Sequence, residues 1–221
     1  MITLHYLEDS RAHRILWMLE EVGAPYEVEV YRRDPKTSLA PRALRALHPL
    51  GKSPVITDAD GVVYAESGAI IEYLAEEYAP ELYPSAGEAR RESRYWLHYA
   101  EGSLMPFLVM QLVFGKARAR IPRIARPLLM AVPSLITKAY LGPNVERHLA
   151  FVEGHLEGRS FFVGDALTVA DIQMSFAAEA IAERAPGEYP NIEAYVRGIQ
   201  AREAYARALD AVPLEYGYVA R

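Results

Sequence analysis

The sequence predicts a small α/β unit followed by an all-helical one. Strand-period and helix-period apolar patterns alternate over roughly the first 80 residues, and a polar stretch punctuated by Pro and Gly follows. Beyond it only the helical period persists. With 221 residues, 51% of them hydrophobic, the chain has enough apolar material for one large core or two smaller ones.

Ile2, Leu4 and Tyr6 alternate with Thr3 and His5, which predicts a strand. Ala12, Ile15, Leu16, Leu19 and Val22 share one side of a helix, and Gly23 stops it because glycine takes the left-handed conformation cheaply. Tyr26, Val28 and Val30 alternate again, completing a strand–helix–strand unit whose strands are expected to run parallel. A loose helical region is expected near Leu39 to Leu47. "HPLGKSPVITDADGVVYAES" then reads as a loop, a short strand (Val55 to Thr57), an Asp60-Gly61 turn and a second strand (Val62 to Tyr64). From Ser67, the positions Ile70, Ile71 and Leu74 run as a helix until Pro80. The order βαβ, helix, ββα is the thioredoxin-like order, with a small mixed sheet and helices on its faces.

"APELYPSAGEAR" places a domain boundary, giving a first domain over residues 1–80, a linker over 81–89 and a second domain over 90–221. Tyr95 and Tyr99 belong to one long helix of that second domain, and Val145, Leu149, Val152 and Leu156 to another. In "LTVADIQMSFAAEAIAE", Thr168 and Asp171 are spaced as a capping box ahead of an apolar face of Ile172, Phe176 and Ala180. Ile192, Tyr195, Val196 and Ile199 mark a final helix.

Composition excludes several chemistries. The chain has no cysteine, so disulfides, thiolate zinc sites and any mechanism using a protein thiolate, glutaredoxin-like exchange included, are ruled out. No basic-then-apolar leader and no apolar run of about 18 residues occurs, so a soluble cytoplasmic protein with no membrane partner is expected. A formal net charge of -5 argues against nucleic acid. Lys116, Arg118, Arg120, Arg123 and Arg126 nevertheless form a basic run free of acidic residues, within a segment expected to be an irregular helical excursion. It reads as a solvated surface or as a rim favouring anionic electrophiles or conjugates. The six histidines never fall in a recognised ligand spacing, and His148 and His155, which could share a helix face, are too few for a metal site. A Ser-His-Asp hydrolase lacks its G-x-S-x-G elbow. Dinucleotide binding lacks the glycines that the turn "EDSRA" would need.

Three features of the first domain converge. Ser10 lies at a helix N-terminus, where free amides and the dipole favour a developing anion. Ser53-Pro54 stands at the start of a short strand, a position suited to a cis proline that exposes backbone donors and acceptors on a free edge. Glu66 and Ser67 begin another helix, where the amides and Ser67 Oγ can take a carboxylate and Glu66 an ammonium. Together they describe a pocket for a small peptide carrying a thiol. Plainer readings stay open: Ser10 as an N-cap, Pro54 as a strand-start proline with a trans bond, and Glu66-Ser67 as a solvated helix start. Arg11 and Arg14 read first as surface charges, Asp171 as structural, and Trp17 and Trp96 as core or interface residues.

"SRAHRILWMLEEVG" at Ser10, "HPLGKSPVITDADGVVYAESGAIIEYLAEEY" from His48 and "LTVADI" at Leu167 resemble the glutathione S-transferase family across the whole chain. The start of the chain resembles its serine-type bacterial and fungal members. The resemblance implies a thioredoxin-like N-terminal domain followed by an all-α domain. It also implies a homodimer that pairs each first domain with the other subunit's helical domain, and glutathione as co-substrate without a metal. Its implied activity is conjugation of the glutathione thiolate to a hydrophobic electrophile. Glutathione-dependent peroxide reduction or isomerisation in the same pocket, and a non-catalytic glutathione-binding or scaffold role, are the alternatives.

Carried over residue by residue, the resemblance makes Ser10 the hydrogen-bond donor to the glutathione sulfur. Tyr6 is the alternative donor, although its parity with Ile2 and Leu4 puts it on the core side. Ser53 would pair through its backbone with the cysteinyl part, ahead of a cis Pro54. Glu66 and Ser67 would hold the γ-glutamyl end, and Lys52 the glycyl carboxylate. Ser53 stands where the family commonly has an apolar residue, and His48 where asparagine is frequent. Because the contact uses backbone atoms, the change at position 53 is expected to do little to glutathione binding. The electrophile is expected in a cleft between the domains, walled by Leu7, Met105, Leu108 and Leu112.

Overall fold

A computed structural model of the protein describes residues 1–122, 129, 131–214 and 216–218. The chain begins β1 (Ile2–Leu7), α1 (Ala12–Val22), β2 (Tyr26–Tyr31), α2 (Arg42–Leu47), β3 (Val55–Thr57), β4 (Val63–Ala65) and α3 (Ser67–Tyr78). These strands form a four-stranded mixed sheet of order β2-β1-β3-β4. β1 runs parallel to β2, with Leu4 opposite Val28, and antiparallel to β3, with Leu4 opposite Ile56. α1 ends as expected at Gly23, left-handed at φ 63°.

Two strand readings are corrected. β4 starts one residue later than its apolar run because the Asp58 carboxylate accepts from the amides of Asp60 (2.9 Å) and Val62 (2.8 Å), keeping Val62 in the turn. His5 is also 4% exposed rather than turned to solvent. β1 lies inside the sheet with both faces covered, and the imidazole is satisfied by Tyr31 Oη at 3.1 Å and Thr57 Oγ1 at 2.9 Å.

After a short 3₁₀ turn (Pro80–Leu82), the described residues are helical wherever they are regular. α4 (Gly87–Tyr99) passes through a π turn (Ala100–Leu104) into α5 (Met105–Arg120). Then come α6 (Ala131–Ile136), a second π turn (Thr137–Leu141), α7 (Gly142–His155), α8 (Val169–Arg184), α9 (Pro190–Gln200) and α10 (Glu203–Asp210). The expected irregular excursion is corrected in its first half, since Lys116, Arg118 and Arg120 lie on the regular helix α5. Arg123 and Arg126 lie outside the described residues. None of the described helices is long and apolar enough to cross a membrane.

The central strut is α8. The sequence marks one apolar face on it, yet Gln173, Met174, Ser175 and Glu179 are buried as well, because elements pack on every side. Its start is the expected capping box. Thr168 Oγ1 accepts from the Ala170 amide at 3.3 Å, and the Asp171 carboxylate accepts from the amides of Thr168 and Phe162, both at 2.8 Å. The Tyr195 hydroxyl donates to the Asp171 carbonyl at 3.1 Å.

One hydrophobic cluster runs unbroken from the sheet through α1 and α3 into the helical half, taking in Trp17, Ile70, Leu97, Ile172 and Tyr205. This explains a further correction: Arg14, read as a surface charge, is 1% exposed. α1 is sandwiched between the sheet and α8, so its polar side faces protein. The guanidinium there donates to Gln173 O (2.7 Å), Gln173 Oε1 (2.9 Å) and Glu101 (2.6 Å). At the rim, Arg202 grips Glu21 through two bonds of 2.5 and 2.9 Å, and Arg207 holds Glu20 at 2.7 Å.

Candidate functional site

The site begins where β1 delivers the chain at Leu7. Asp9, at φ 49°, turns it, and α1 opens at Ala12 with Ser10 just ahead. Ser10 Oγ accepts from the Ala12 amide at 3.2 Å, so the plain capping role is real. The hydroxyl, on a residue only 7% exposed, also donates to Ser53 Oγ at 3.3 Å.

Ser53 has side-chain contacts that the sequence reading did not anticipate. Its hydroxyl donates to the His5 carbonyl at 3.0 Å and accepts from the Leu7 amide at 3.3 Å, as well as meeting Ser10. This side chain therefore ties the loop before β3 to β1 and reaches the candidate nucleophile-stabilising hydroxyl. The Ser53-Pro54 bond is cis. At the other edge, Glu66 holds φ 72°, a region that costs a non-glycine residue roughly 1–3 kcal/mol and clusters at functional sites. Ser67 follows as the first residue of α3, 5% exposed.

These residues surround two adjoining cavities. The smaller, about 240 Å³, is lined by all five residues expected to bind a peptide, Lys52, Ser53, Pro54, Glu66 and Ser67, joined by Arg11 and His48. His48 Nδ1 is buried there without a hydrogen-bond partner, while Arg11 Nε lies 3.4 Å from Glu101 Oε1, which lines the same cavity. An unpartnered buried atom costs free energy unless a ligand or water satisfies it. The larger cavity, about 700 Å³, is lined by Ser10 and by all four expected apolar residues, Leu7, Met105, Leu108 and Leu112. Arg11, Lys52 and Ser53 line both, so the cavities meet beside the Ser10–Ser53 contact.

Tyr6 lines neither cavity. It is 2% exposed within the core, and burial, helped by the charges of Asp9 and Glu179, pushes its phenol above the ordinary tyrosine range. Sequence reading missed Phe176, Tyr218, Arg33 and Arg184 as cavity walls. Phe176 stood in the apolar pattern of α8, but nothing in that pattern says which core residue faces a void. Tyr218 sits in the chain's last residues, which show no periodic pattern at all.

The segment carrying Tyr218 is anchored by Glu179, a buried carboxylate on α8. It accepts from the hydroxyls of Tyr205 (2.5 Å) and Tyr216 (2.6 Å), and burial raises its pKa to about 7. Tyr216 stacks on His13 at 4.0 Å, and burial lowers that imidazole to about 3, holding it neutral. Two residues further on, Tyr218 meets Phe176 edge-on at 5.2 Å.

Comparison with known proteins fits this geometry. Residues 10–77 match the glutathione S-transferase N-terminal domain, and residues 122–203 match the glutathione S-transferase C-terminal domain. A curated relative, glutathione S-transferase 3 of Schizosaccharomyces pombe, is 38% identical over 217 residues, covering 96% of this chain and 88% of the relative. Among solved structures, a glutathione S-transferase from Actinobacillus pleuropneumoniae aligns with a TM-score of 0.76 at 34% identity, covering 95% of this chain and 92% of that one. A glutathione transferase family member from Pseudomonas fluorescens, solved with two glutathione bound, aligns at 0.73 and 26% identity over 94% and 92%. Matched in both halves and by relatives along nearly its whole length, the chain belongs to the glutathione S-transferase family.

Proposed function

We propose that this protein is a glutathione transferase that holds glutathione as its thiolate in the smaller cavity and attacks a hydrophobic electrophile seated in the larger one. The observation that carries the reading is the meeting of the two cavities beside the Ser10 hydroxyl. A family member of known structure is described as binding glutathione, which supports the ligand.

In this reading Glu66 takes the γ-glutamyl ammonium, and Ser67 with the first amides of α3 takes its carboxylate. The backbone of Ser53, ahead of Pro54, pairs with the cysteinyl unit, and Lys52 takes the glycyl carboxylate. The thiol proton leaves to solvent, and the thiolate is stabilised rather than generated by Ser10. Ser10 Oγ already accepts an amide hydrogen, which leaves its single O–H to donate. A thiolate is a better acceptor than Ser53 Oγ at 3.3 Å, so the rotor turns toward sulfur. For an aryl halide, the sulfur lone pair forms the C–S bond and the halide departs with the C–X pair. Leu7, Met105, Leu108 and Leu112 hold the acceptor's apolar body. The protein acts in the cytoplasm as a two-fold homodimer, with residues 1–80 binding glutathione and residues 90–221 walling the electrophile site.

Turnover of glutathione against 1-chloro-2,4-dinitrobenzene, cumene hydroperoxide and a cis-enone tests the reading and separates transfer from peroxide reduction and isomerisation. Conjugation above the uncatalysed rate is expected with the aryl halide. Binding of glutathione without turnover of any of the three would make this a binding protein on the same fold. Glu66→Ala and Ser67→Ala should each weaken glutathione binding by about 1–3 kcal/mol in calorimetry. Dissociation constants unchanged in both would move the γ-glutamyl site elsewhere.

A further inference from the structure

We propose that the electrophile is an amphipathic anion: an apolar reactive body carrying a carboxylate or a comparable acidic group. The inference rests on the transferase reading and concerns the cations that line the larger cavity. Aliphatic side chains wall much of the void, but Lys116 of α5 and Arg184 of α8 also line it, as does Arg33, whose guanidinium already donates to the carbonyls of Glu8, Asp9 and Ser38; Asp9 is the sole acidic lining residue among those described. Glutathione does not account for this charge. Lys116, Arg184 and Arg33 are absent from the smaller cavity, whose own cations are Arg11 and Lys52, the latter being the expected partner of the glycyl carboxylate.

Neither Lys116 nor Arg184 makes an ion pair with a carboxylate among the described residues. Arg184 instead lies 4.4 Å over the ring of Tyr218, itself a wall of the cavity. Sequence neighbours do not neutralise Lys116. Between Glu101 and Glu146 the chain carries no acidic residue, yet it holds Lys116, Arg118, Arg120, Arg123, Arg126 and Lys138. In a chain of net charge -5, Lys116 with Arg118 and Arg120 on the same helix α5 puts local positive charge along that wall of the cavity. A neutral acceptor would leave both cations unused. An anionic one sets its charge between Lys116 and Arg184, lays its body along the aliphatic walls and turns its reactive carbon toward Ser10.

The test compares 4-chloro-3,5-dinitrobenzoate with its neutral analogue 4-chloro-3,5-dinitrobenzamide, each kcat/KM divided by that acceptor's uncatalysed rate constant with glutathione. The expected ratio favours the benzoate by about fivefold or more at low salt. It should fall toward one in roughly 0.5 M salt, because Lys116 and Arg184 are exposed and their field is screened. It should also fall toward one in the Lys116→Ala/Arg184→Ala double variant. A wild-type ratio of one or below, with the benzamide turned over, overturns the anionic preference while leaving the transferase intact. A ratio that salt and the double variant leave unchanged places the preference outside these cations and equally overturns the proposal. Turnover of neither compound overturns this inference, and the transferase reading with it only where 1-chloro-2,4-dinitrobenzene is not turned over either.

Discussion

Ser10 Oγ has one proton to give and two claimants for it, Ser53 in the structure and a sulfur anion in the proposed complex. Ser10→Ala should leave glutathione bound but raise the apparent pKa of its thiol by roughly one to two units, since a hydrogen bond to a charged partner contributes about 1–3 kcal/mol. Tyr6→Phe should change it little, because the phenol lines neither cavity. Thiolate absorbance near 240 nm, read against pH, measures both; a shift in Tyr6→Phe alone would reverse the roles. Glu179 makes a second residue-scale prediction. Burial raises its carboxylate from 4.5 to about 7, so over that window the fold holds a proton that the unfolded chain has released. Stability from this group is complete below the unfolded value and is lost as pH rises through about 7. His13 opposes it: its neutral form is favoured by the fold, and stability is lost as pH falls from 6.5 toward about 3. The informative quantity is therefore the difference between wild type and Glu179→Gln. The glutamine variant should gain in relative Tm between pH 5 and pH 8, and a pH-independent difference would mean that the carboxylate stays ionised throughout.

At the scale of the element, the start of α8 concentrates the largest single-site risk. Asp171 is 0% exposed and supplies the acceptor for two buried amides, Phe162 and Thr168. Asp171→Ala strands both, and an unsatisfied buried donor costs about 1–3 kcal/mol, so a loss of roughly 2–5 kcal/mol is expected in urea unfolding at pH 7.5. Asp171→Asn should lose less, since its side-chain oxygen can still accept one of the two. Equal losses in the two variants would mean that the charge, rather than the acceptor count, holds the turn. α1 shows the same coupling between an element and its surroundings. Its helix is legible from apolar spacing alone, whereas the fate of Arg14 depends on α8 and the π turn lying against its other side.

At the scale of the molecule, the sheet and the helices share one core, and the larger cavity is walled by both halves, with Leu7 and Ser10 from one and Met105 and Phe176 from the other. Val113 on α5, Tyr95 on α4, Tyr140 in the second π turn and Phe151 on α7 are exposed and line neither cavity. Exposed large apolar side chains on a chain with this much apolar content fit the proposed homodimer. Sedimentation at micromolar concentration should show a species of about twice 24.8 kDa. A species at the monomer mass throughout would exclude the dimer.

The sequence by itself determined what depends on short spacings. The strand and helix periods, Gly23 as a stop, the Thr168–Asp171 box and the Ser10, Ser53-Pro54 and Glu66-Ser67 stations are all read within a few residues of chain, because backbone conformation and capping are local physics. Leu7, Met105, Leu108 and Leu112, expected together from the family resemblance rather than from any spacing, line one cavity. Only the tertiary structure decided what depends on neighbours far along the chain. It buried His5 and Arg14 by covering the second face of β1 and the far side of α1, and it made the Ser53 hydroxyl a partner of Ser10 across 43 positions of sequence. It also brought Arg33, Lys116, Arg184 and Tyr218 to the same void. Burial and the sharing of a cavity are properties of packed surfaces, and a period along one segment carries no information about what packs against it.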